Sequence, residues 1–243
     1  MDIRIFDSPD QTAAAVAQRV ADALACEPSL VLGLPTGRTS IGVYEQLREL
    51  HARGRVDFAR AVAFNLDEFA GIPPAHPGSF RSFMDRHLFA HVNLPPTHIH
   101  FLNGVAEDLD AECERYETAI EAAGGVDLQL LGIGSNGHIG FNEPGDELTA
   151  RTHRVRLAES TRRDNAALFD GDPARVPREA LSMGMGTILK AGGLILMAIG
   201  ARKAHCVERA LRGPISTRLP ASFLQLHRRV ELYLDRDAAG RLT

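Results

Sequence analysis

Short apolar runs alternate with segments of helical periodicity along almost the whole chain. Runs of four to eight apolar residues predict buried strands, and apolar positions spaced three or four apart predict helices. This alternation is typical of a largely parallel sheet that is covered by helices on both faces. The sequence therefore predicts an α/β fold with one doubly wound, Rossmann-like sheet, in a single domain over residues 1–243.

The predicted elements follow from this pattern. The predicted strands cover residues 1–7, 29–34, 61–66, 99–102, 126–133, 193–199 and 230–234. The predicted helices cover residues 9–25, 40–53, 79–91, 108–123 and 202–212. At residues 149–177 the chain turns polar and irregular, with a Gly-Asp-Pro interruption, and we expect a mobile lid there.

Composition and charge exclude several classes of protein. Of the 243 residues 44% are hydrophobic and 24% charged, with a net charge of −4, which argues against disorder and against a nucleic-acid partner. The first residues lack the order of a signal peptide, and the most apolar stretch is far shorter than the roughly 20 residues that span a bilayer. We expect a cytoplasmic protein without a membrane partner; a homo-oligomer is compatible with the sequence.

Cysteine and histidine spacing predicts no metal site. Cys26, Cys113 and Cys206 are scattered, which fits neither a disulfide framework nor a zinc site. His87 and His91 share a helical face, but no glutamate completes an H-E-x-x-H motif. The chain also lacks a G-x-S-x-G nucleophile motif, so covalent catalysis is not predicted.

A strand end, a tight turn and a helix start meet at residues 33–40. Ligands bind beyond the carboxyl ends of strands in open parallel sheets, and free N–H groups at a helix start favour phosphate. The segment is not a Walker A loop, because its glycines are one residue too close and Arg38 replaces the lysine. The alternative is an ordinary turn with Thr39 or Ser40 capping the helix. The candidate phosphate-binding residues are Pro35, Thr36, Gly37, Arg38 and Thr39.

A second candidate segment, residues 64–69, places two acids where a strand leaves the sheet. Successive strand side chains point to opposite faces, so at most one acid faces a given cleft. We predict that Asp67 is this residue. The alternative is a loop carboxylate that caps a helix or is solvated.

A third segment, residues 132–144, contains a G-x-G-x-x-G pattern directly after a strand. A dinucleotide site needs a helix immediately after these glycines, whereas this segment continues with more glycine and Pro144. A nicotinamide cofactor is therefore not predicted. The segment instead offers His138 and Glu143, and a carboxylate bonded to one ring nitrogen raises the basicity of the other.

Together these segments resemble the glucosamine-6-phosphate deaminase/isomerase family. The matching words are Leu-Pro-Thr-Gly at 34–37, Phe-Asn-Leu-Asp-Glu at 64–68, Asn-Gly-His-Ile-Gly-Phe-Asn-Glu-Pro at 136–144 and Leu-Gln-Leu-His at 224–227. The resemblance implies a phosphosugar substrate, no cofactor, and conversion of glucosamine 6-phosphate and water to fructose 6-phosphate and ammonia. One alternative is the same reaction on another hexosamine 6-phosphate. The other is hydrolysis of the 6-phosphogluconolactonase type, for which we would expect a Ser-Leu-Phe-Pro-like sequence after the histidine.

The resemblance also implies roles for individual residues. Asp67 resembles the general base that moves a proton between C2 and C1 of the sugar. His138 resembles the histidine that opens the ring, and Glu143 resembles its carboxylate partner. Lys203, together with the loop at 36–39, resembles the phosphate site.

Two positions depart from the family pattern. Asn136 stands where many members carry an aspartate. The carboxylate–histidine–carboxylate relay of those members is therefore reduced here to His138 and Glu143. Ala167 stands where well-studied relatives carry a lid arginine for the phosphate. Arg162, Arg163 or Arg38 are the candidate replacements, and the preferred hexosamine stays open. The catalytic candidates are therefore Asp67, Asn136, His138 and Glu143.

Overall fold

A computed structural model describes residues 1–242 of the chain. The strands are β1 Asp2–Phe6, β2 Val31–Leu34, β3 Val62–Asn65, β4 Asp67–Phe69, β5 Ile99–His100, β6 Leu128–Gly132, β7 His153–Arg156, β8 Glu179–Ser182, β9 Gly193–Ala198 and β10 Val230–Asp235. The helices are α1 Pro9–Cys26, α2 Arg38–Ala52, α3 Phe80–His87, α4 Leu109–Ala122, α5 Glu159–Asn165, α6 Met185–Leu189, α7 Ala204–Arg212 and α8 Arg236–Ala239. Over this described range, none of the helices combines the length and the apolar character needed to cross a bilayer.

Seven strands form one central sheet in the order β1-β10-β9-β6-β2-β3-β5. Every pairing in this sheet is parallel. Parallel strands need crossover connections, which the intervening helices provide. The predicted α/β fold with a doubly wound parallel sheet is confirmed.

The two faces of the central sheet carry separate hydrophobic cores. Helices α1, α2 and α3 pack with one face, and α4, α6 and α7 pack with the other. Along β9, Leu194 and Leu196 belong to one core, whereas Ile195 and Met197 belong to the other. Because both faces of the strand are covered, its sequence is continuously apolar instead of alternating.

Three helices differ by two or more residues from their predicted bounds, and one of them, α7, begins at Ala204 instead of residue 202. Helix α2 begins at Arg38, two residues earlier than predicted, because Gly37 adopts a φ of 121° and forms the N-terminal boundary. Helix α3 ends at His87 instead of residue 91, since Leu88 leaves the helical region with φ −139° and ψ −60°. A short 3-10 turn, Phe89–His91, follows it.

A second, antiparallel sheet in the order β4-β8-β7 lies beside the central sheet and was not predicted. Strand β7 falls within residues 149–177, where composition predicts an irregular lid, and helix α5 follows in the same segment. The segment also contributes Phe169 to a third core, in which its ring packs edge-on against Phe69 at 5.4 Å. Pairing and burial therefore give regular structure to a stretch whose local sequence is polar.

Candidate active site

Except for Arg162, which lies on helix α5, the predicted site residues follow four neighbouring strands of the central sheet. Strands β9, β6, β2 and β3 lie side by side in this order, all parallel. Neighbouring strands are about 4.8 Å apart, so the segments after their carboxyl ends share one edge of the sheet. The turn with Lys203 follows β9, the histidine segment follows β6, the 35–39 loop follows β2, and Asp67 follows β3.

Asp67 begins strand β4 only two residues after β3 ends. The amide of Asn65 donates to the Asp67 carbonyl at 3.0 Å, which fixes the backbone there. The Asp67 side chain is buried, and its Oδ1 has no hydrogen-bond partner within residues 1–242. Burial, followed by the charge of Glu68, raises the Asp67 pKa well above its ordinary value. A carboxyl group with a free oxygen and a raised proton affinity is suited to accept a proton near neutral pH.

The histidine segment after β6 depends on a close contact between Gly134 and His138. The Gly134 N–H donates to the His138 carbonyl at 2.9 Å. A Cβ atom at Gly134 would lie 2.4 Å from the imidazole Cε1 and 2.5 Å from each ring nitrogen. Only glycine therefore leaves room for the imidazole in this position. The described residues 133–152 contain no helix, in line with the argument from Pro144 against a dinucleotide fingerprint.

Three of the catalytic candidates contact one another. The Asn136 side-chain amide donates to Glu143 Oε2 at 2.9 Å, and Asn136 Oδ1 accepts the His138 backbone N–H at 3.1 Å. His138 Nδ1 lies 3.6 Å from Glu143 Oε2, which is an ion-pair distance and too long for a hydrogen bond. An ionised aspartate in place of Asn136 could not donate to Glu143 and would repel it.

The segment predicted as a lid contacts this group through helix α5. The Thr161 hydroxyl lies 3.4 Å from His138 Nδ1, and the Ala158 N–H donates to Glu143 Oε1 at 3.3 Å. Ser135 donates to the Asp164 carboxylate at 2.9 Å. Local sequence patterns do not predict these contacts, because they join residues that lie 15 to 29 positions apart in the chain.

The surroundings of Glu143 act on its pKa in the opposite direction from those of Asp67. Burial by itself raises the pKa of Glu143. The proximity of His138 and the side chains of Thr161 and Asn136 outweigh that effect and lower the pKa to about 2. Glu143 is therefore ionised at neutral pH, and its negative charge lies 3.6 Å from His138 Nδ1.

The 35–39 loop leads into an open helix start. Gly37 precedes helix α2, and within the described chain no side chain caps the first turn. The Ser40 hydroxyl donates back to the Gly37 carbonyl at 2.8 Å and does not cap the helix. The Tyr44 hydroxyl donates a hydrogen bond to the Pro35 carbonyl. The Ser40 N–H also donates to the Gly37 carbonyl, at 3.1 Å, but the N–H groups of Arg38 and Thr39 are available to an anion, which favours the phosphate interpretation over a capped turn.

The two remaining cationic candidates have different surroundings. Lys203 is half-buried, which lowers its pKa, while the Asp164 carboxylate raises it. Arg162 donates instead to lid carbonyls and borders a depression of about 390 Å³ with Arg163. The accepting carbonyls belong to Pro173, Ala174 and Val176. In this conformation Arg162 stabilises the 149–177 segment through these hydrogen bonds.

Comparison with known proteins places this arrangement in a family. Residues 7–233 match the family model described as glucosamine-6-phosphate isomerases/6-phosphogluconolactonase. A curated glucosamine-6-phosphate deaminase from Halothermothrix orenii is 47% identical over 223 residues, which cover 92% of each chain. Glucosamine-6-phosphate deaminase 2 from Bacillus subtilis is 44% identical over 100% of this chain and 98% of its own.

Solved structures agree with the sequence comparisons. The structure of a monomeric glucosamine-6-phosphate deaminase superimposes with a TM-score of 0.96 at 41% identity, covering 99% of this chain and 100% of that one. A 6-phosphogluconolactonase from Trypanosoma cruzi covers 100% of this chain and 97% of its own with a TM-score of 0.81 at 18% identity, which shows the common fold alone. The family match and the close relatives together show that the chain belongs to the glucosamine-6-phosphate isomerase/6-phosphogluconolactonase family.

Proposed function

We propose that this protein is a glucosamine-6-phosphate deaminase, which converts glucosamine 6-phosphate and water to fructose 6-phosphate and ammonia. The names of its relatives support this activity. The single observation that carries the proposal is the buried Asp67 carboxyl with its unpartnered oxygen, on the same sheet edge as the contacting pair of His138 and Glu143. Such an arrangement offers one base for a carbon-bound proton and a second group for the ring oxygens.

In the first step the sugar ring opens. The anomeric hydroxyl loses a proton and the ring oxygen gains one, so that C1 becomes an aldehyde. We assign this transfer to His138, because an imidazole both accepts and donates protons near neutral pH. The Glu143 carboxylate lies 3.6 Å from its Nδ1, and Asn136 orients Glu143 through a hydrogen bond.

In the second step a proton moves from C2 to C1. We assign its removal from C2 to Asp67, while the C1 oxygen takes up a proton, which gives an enolamine. The same carboxyl returns the proton to C1 as the amino nitrogen loses one, which gives a C2 imine. Water then adds to the imine, and ammonia leaves to give the ketone of fructose 6-phosphate. A positioned base of this kind typically supplies about 10²- to 10⁴-fold in rate.

The phosphate group positions the reacting carbons from a distance. We assign it to the open start of helix α2, at residues 36–39, and to the ammonium group of Lys203. Binding energy at a remote phosphate orients the substrate without taking part in the chemistry. Arg162 joins this site if phosphate binding exchanges its lid carbonyl contacts for the phosphate oxygens.

A coupled ammonia assay tests the proposal on glucosamine, galactosamine and mannosamine 6-phosphates, without added metal or nicotinamide. We expect ammonia release from glucosamine 6-phosphate, with formation of fructose 6-phosphate in equal amount. Release from another hexosamine phosphate alone would correct the substrate but keep the reaction. Inactivity on all three, together with hydrolysis of a phosphorylated lactone, would refute the deaminase assignment.

A further inference from the structure

Glu68, the neighbour of Asp67, is a buried acid that the proposed reaction does not use. Its side chain is almost fully buried. Successive side chains on a strand point to opposite faces, so Glu68 lies on the other side of β4 from Asp67. Burying a carboxyl group is costly unless hydrogen bonds compensate, so its partners indicate why it is there.

The partners of Glu68 are three backbone N–H groups. Oε1 accepts the N–H of Phe69 at 2.8 Å and that of Phe80 at 2.9 Å. Oε2 accepts the N–H of Arg81 at 2.9 Å. Phe80 and Arg81 are the first two residues of helix α3, a dozen positions along the chain from Glu68.

These contacts complete the start of helix α3. The first N–H groups of a helix have no partner within it. Ser79 accepts the third of them, from Ser82, at 3.0 Å, and Glu68 accepts the two before it. The partial positive charge of the helix start also favours a negative carboxylate there. Strand β4 and helix α3 are thus joined through one side chain, next to the proposed base.

We propose that Glu68 is a positioning residue of the reaction: its carboxylate holds strand β4 against the start of helix α3 and thereby fixes the direction in which Asp67 meets the sugar. The inference rests on the proposed deaminase function. Since Asp67 has to reach a single carbon-bound hydrogen, a small rotation of β4 weakens catalysis without removing any reacting group.

Glu68 also acts on Asp67 through its charge. After burial, the proximity of Glu68 is the cause that raises the Asp67 pKa. Burial raises the pKa of Glu68 itself to about 7, against the effect of its three N–H donors. The other titratable side chains near Asp67 are Tyr44 and Tyr116, whose pKa values burial raises, so both stay neutral. Above about pH 7, where Glu68 is ionised, its charge therefore strengthens Asp67 as a base.

Two substitutions at Glu68 separate position from charge. In Glu68→Gln the shape is kept, but the charge is lost and the amide nitrogen faces the Arg81 N–H. We expect kcat for glucosamine 6-phosphate to fall about tenfold with little change in KM. The acid limb of the kcat/KM profile moves to lower pH, because Asp67 loses a negative neighbour. Glu68→Asp keeps the charge but is too short for all three donors, so kcat falls while the acid limb stays in place.

Glu112→Gln is the matched control. Glu112 is also buried and accepts a backbone N–H, from Asn103 at 2.7 Å, but it lies on helix α4. We expect this variant to lower Tm and to leave the pH profile unchanged.

A wild-type kcat in Glu68→Gln would overturn the inference, as would an activity loss that follows Tm without movement of the acid limb. If circular dichroism shows that Glu68→Gln does not fold, a wild-type kcat in Glu68→Asp would overturn it. Failure of the wild-type protein to release ammonia is a different result, because it refutes the proposed function and leaves the Glu68 contacts as a structural feature.

Discussion

The two carboxyl groups of the candidate site, Asp67 and Glu143, have opposite surroundings. Asp67 begins a regular strand, is buried and keeps one oxygen without a partner in the described chain, and burial raises its pKa. Glu143 lies in an irregular segment, and its contacts with His138, Thr161 and Asn136 lower its pKa to about 2 despite its burial.

Because of this difference, two residues of the same chemical type are suited to different roles in the reaction. A carboxyl group with a raised pKa can take up and return a proton, whereas one with a lowered pKa stays charged and acts on its neighbours. The regular strand isolates Asp67 from hydrogen-bond donors. The glycine-rich segment and helix α5 surround Glu143 with them.

Removing the isolated carboxylate is expected to have the largest effect. Asp67→Asn keeps the side-chain shape but cannot accept the C2 proton, so kcat should fall about 10²- to 10⁴-fold. Steady-state ammonia release measures this, with circular dichroism as the check on folding. Wild-type release by a folded Asp67→Asn protein would remove Asp67 from the role of base.

A substitution of Gly134 tests the position of the His138 ring, because it changes the space around the ring and removes no reacting group. Gly134→Ala forces the His138 ring out of its place, since the new Cβ would lie 2.4 Å from Cε1. A displacement of about 1 Å can cost about 10²-fold in kcat. Gly132→Ala is the control, because a Cβ there meets no atom within 4 Å. Equal activities of the two variants would contradict the role of the Gly134 contact.

The two carboxylates should affect stability at pH 7 with opposite signs. The raised pKa of Asp67 means that its stabilising contribution is present below the unfolded-state pKa and is lost as pH rises through the folded-state pKa. Glu143, with its pKa lowered to about 2, contributes stability above the unfolded-state pKa and loses it as pH falls through about 2.

We therefore expect Asp67→Asn to raise Tm at pH 7 and Glu143→Gln to lower it. For a chain of this size a change of about 1 kcal/mol moves Tm by about 2–4 °C. Calorimetric unfolding of both variants measures the two shifts. Shifts of the same sign would mean that the two environments do not differ as described.

The contact from helix α5 should have the smallest effect. Thr161→Val removes the hydroxyl near His138 and Glu143 while keeping the side-chain shape, and one net hydrogen bond of about 1 kcal/mol corresponds to a loss of about fivefold in kcat. Thr161→Ser should restore most of the activity. Ser160→Ala, one residue earlier on α5, is the control. An unchanged kcat in Thr161→Val would mean that the 149–177 segment does not contribute to catalysis through His138 and Glu143.

Local sequence patterns predicted much of the fold and the reacting side chains. The alternation of apolar runs with helical segments reflects contacts between neighbours on one element, and strand ends point to Asp67 and to the histidine segment. The three-stranded sheet was missed because β4 has only three residues and its pairing with β8 spans more than a hundred positions.

The same limit applies to the supporting residues of the site. Glu68 was considered only as the neighbour of Asp67, and its bonds to the start of α3 depend on the folded chain. Thr161 and Ala158 reach Glu143 from a segment whose polar sequence indicated only a lid.

Carboxyl-carbon NMR measures the opposite titration of the two carboxyl groups directly. The signals of Asp67 and Glu143 can be assigned from their absence in Asp67→Asn and Glu143→Gln. We predict that Asp67 ionises well above the ordinary aspartate range, which is centred at about 3.9, and that Glu143 ionises at about 2. Titration of both groups at their ordinary values, or of Asp67 below Glu143, would contradict the opposite surroundings of the two carboxyl groups.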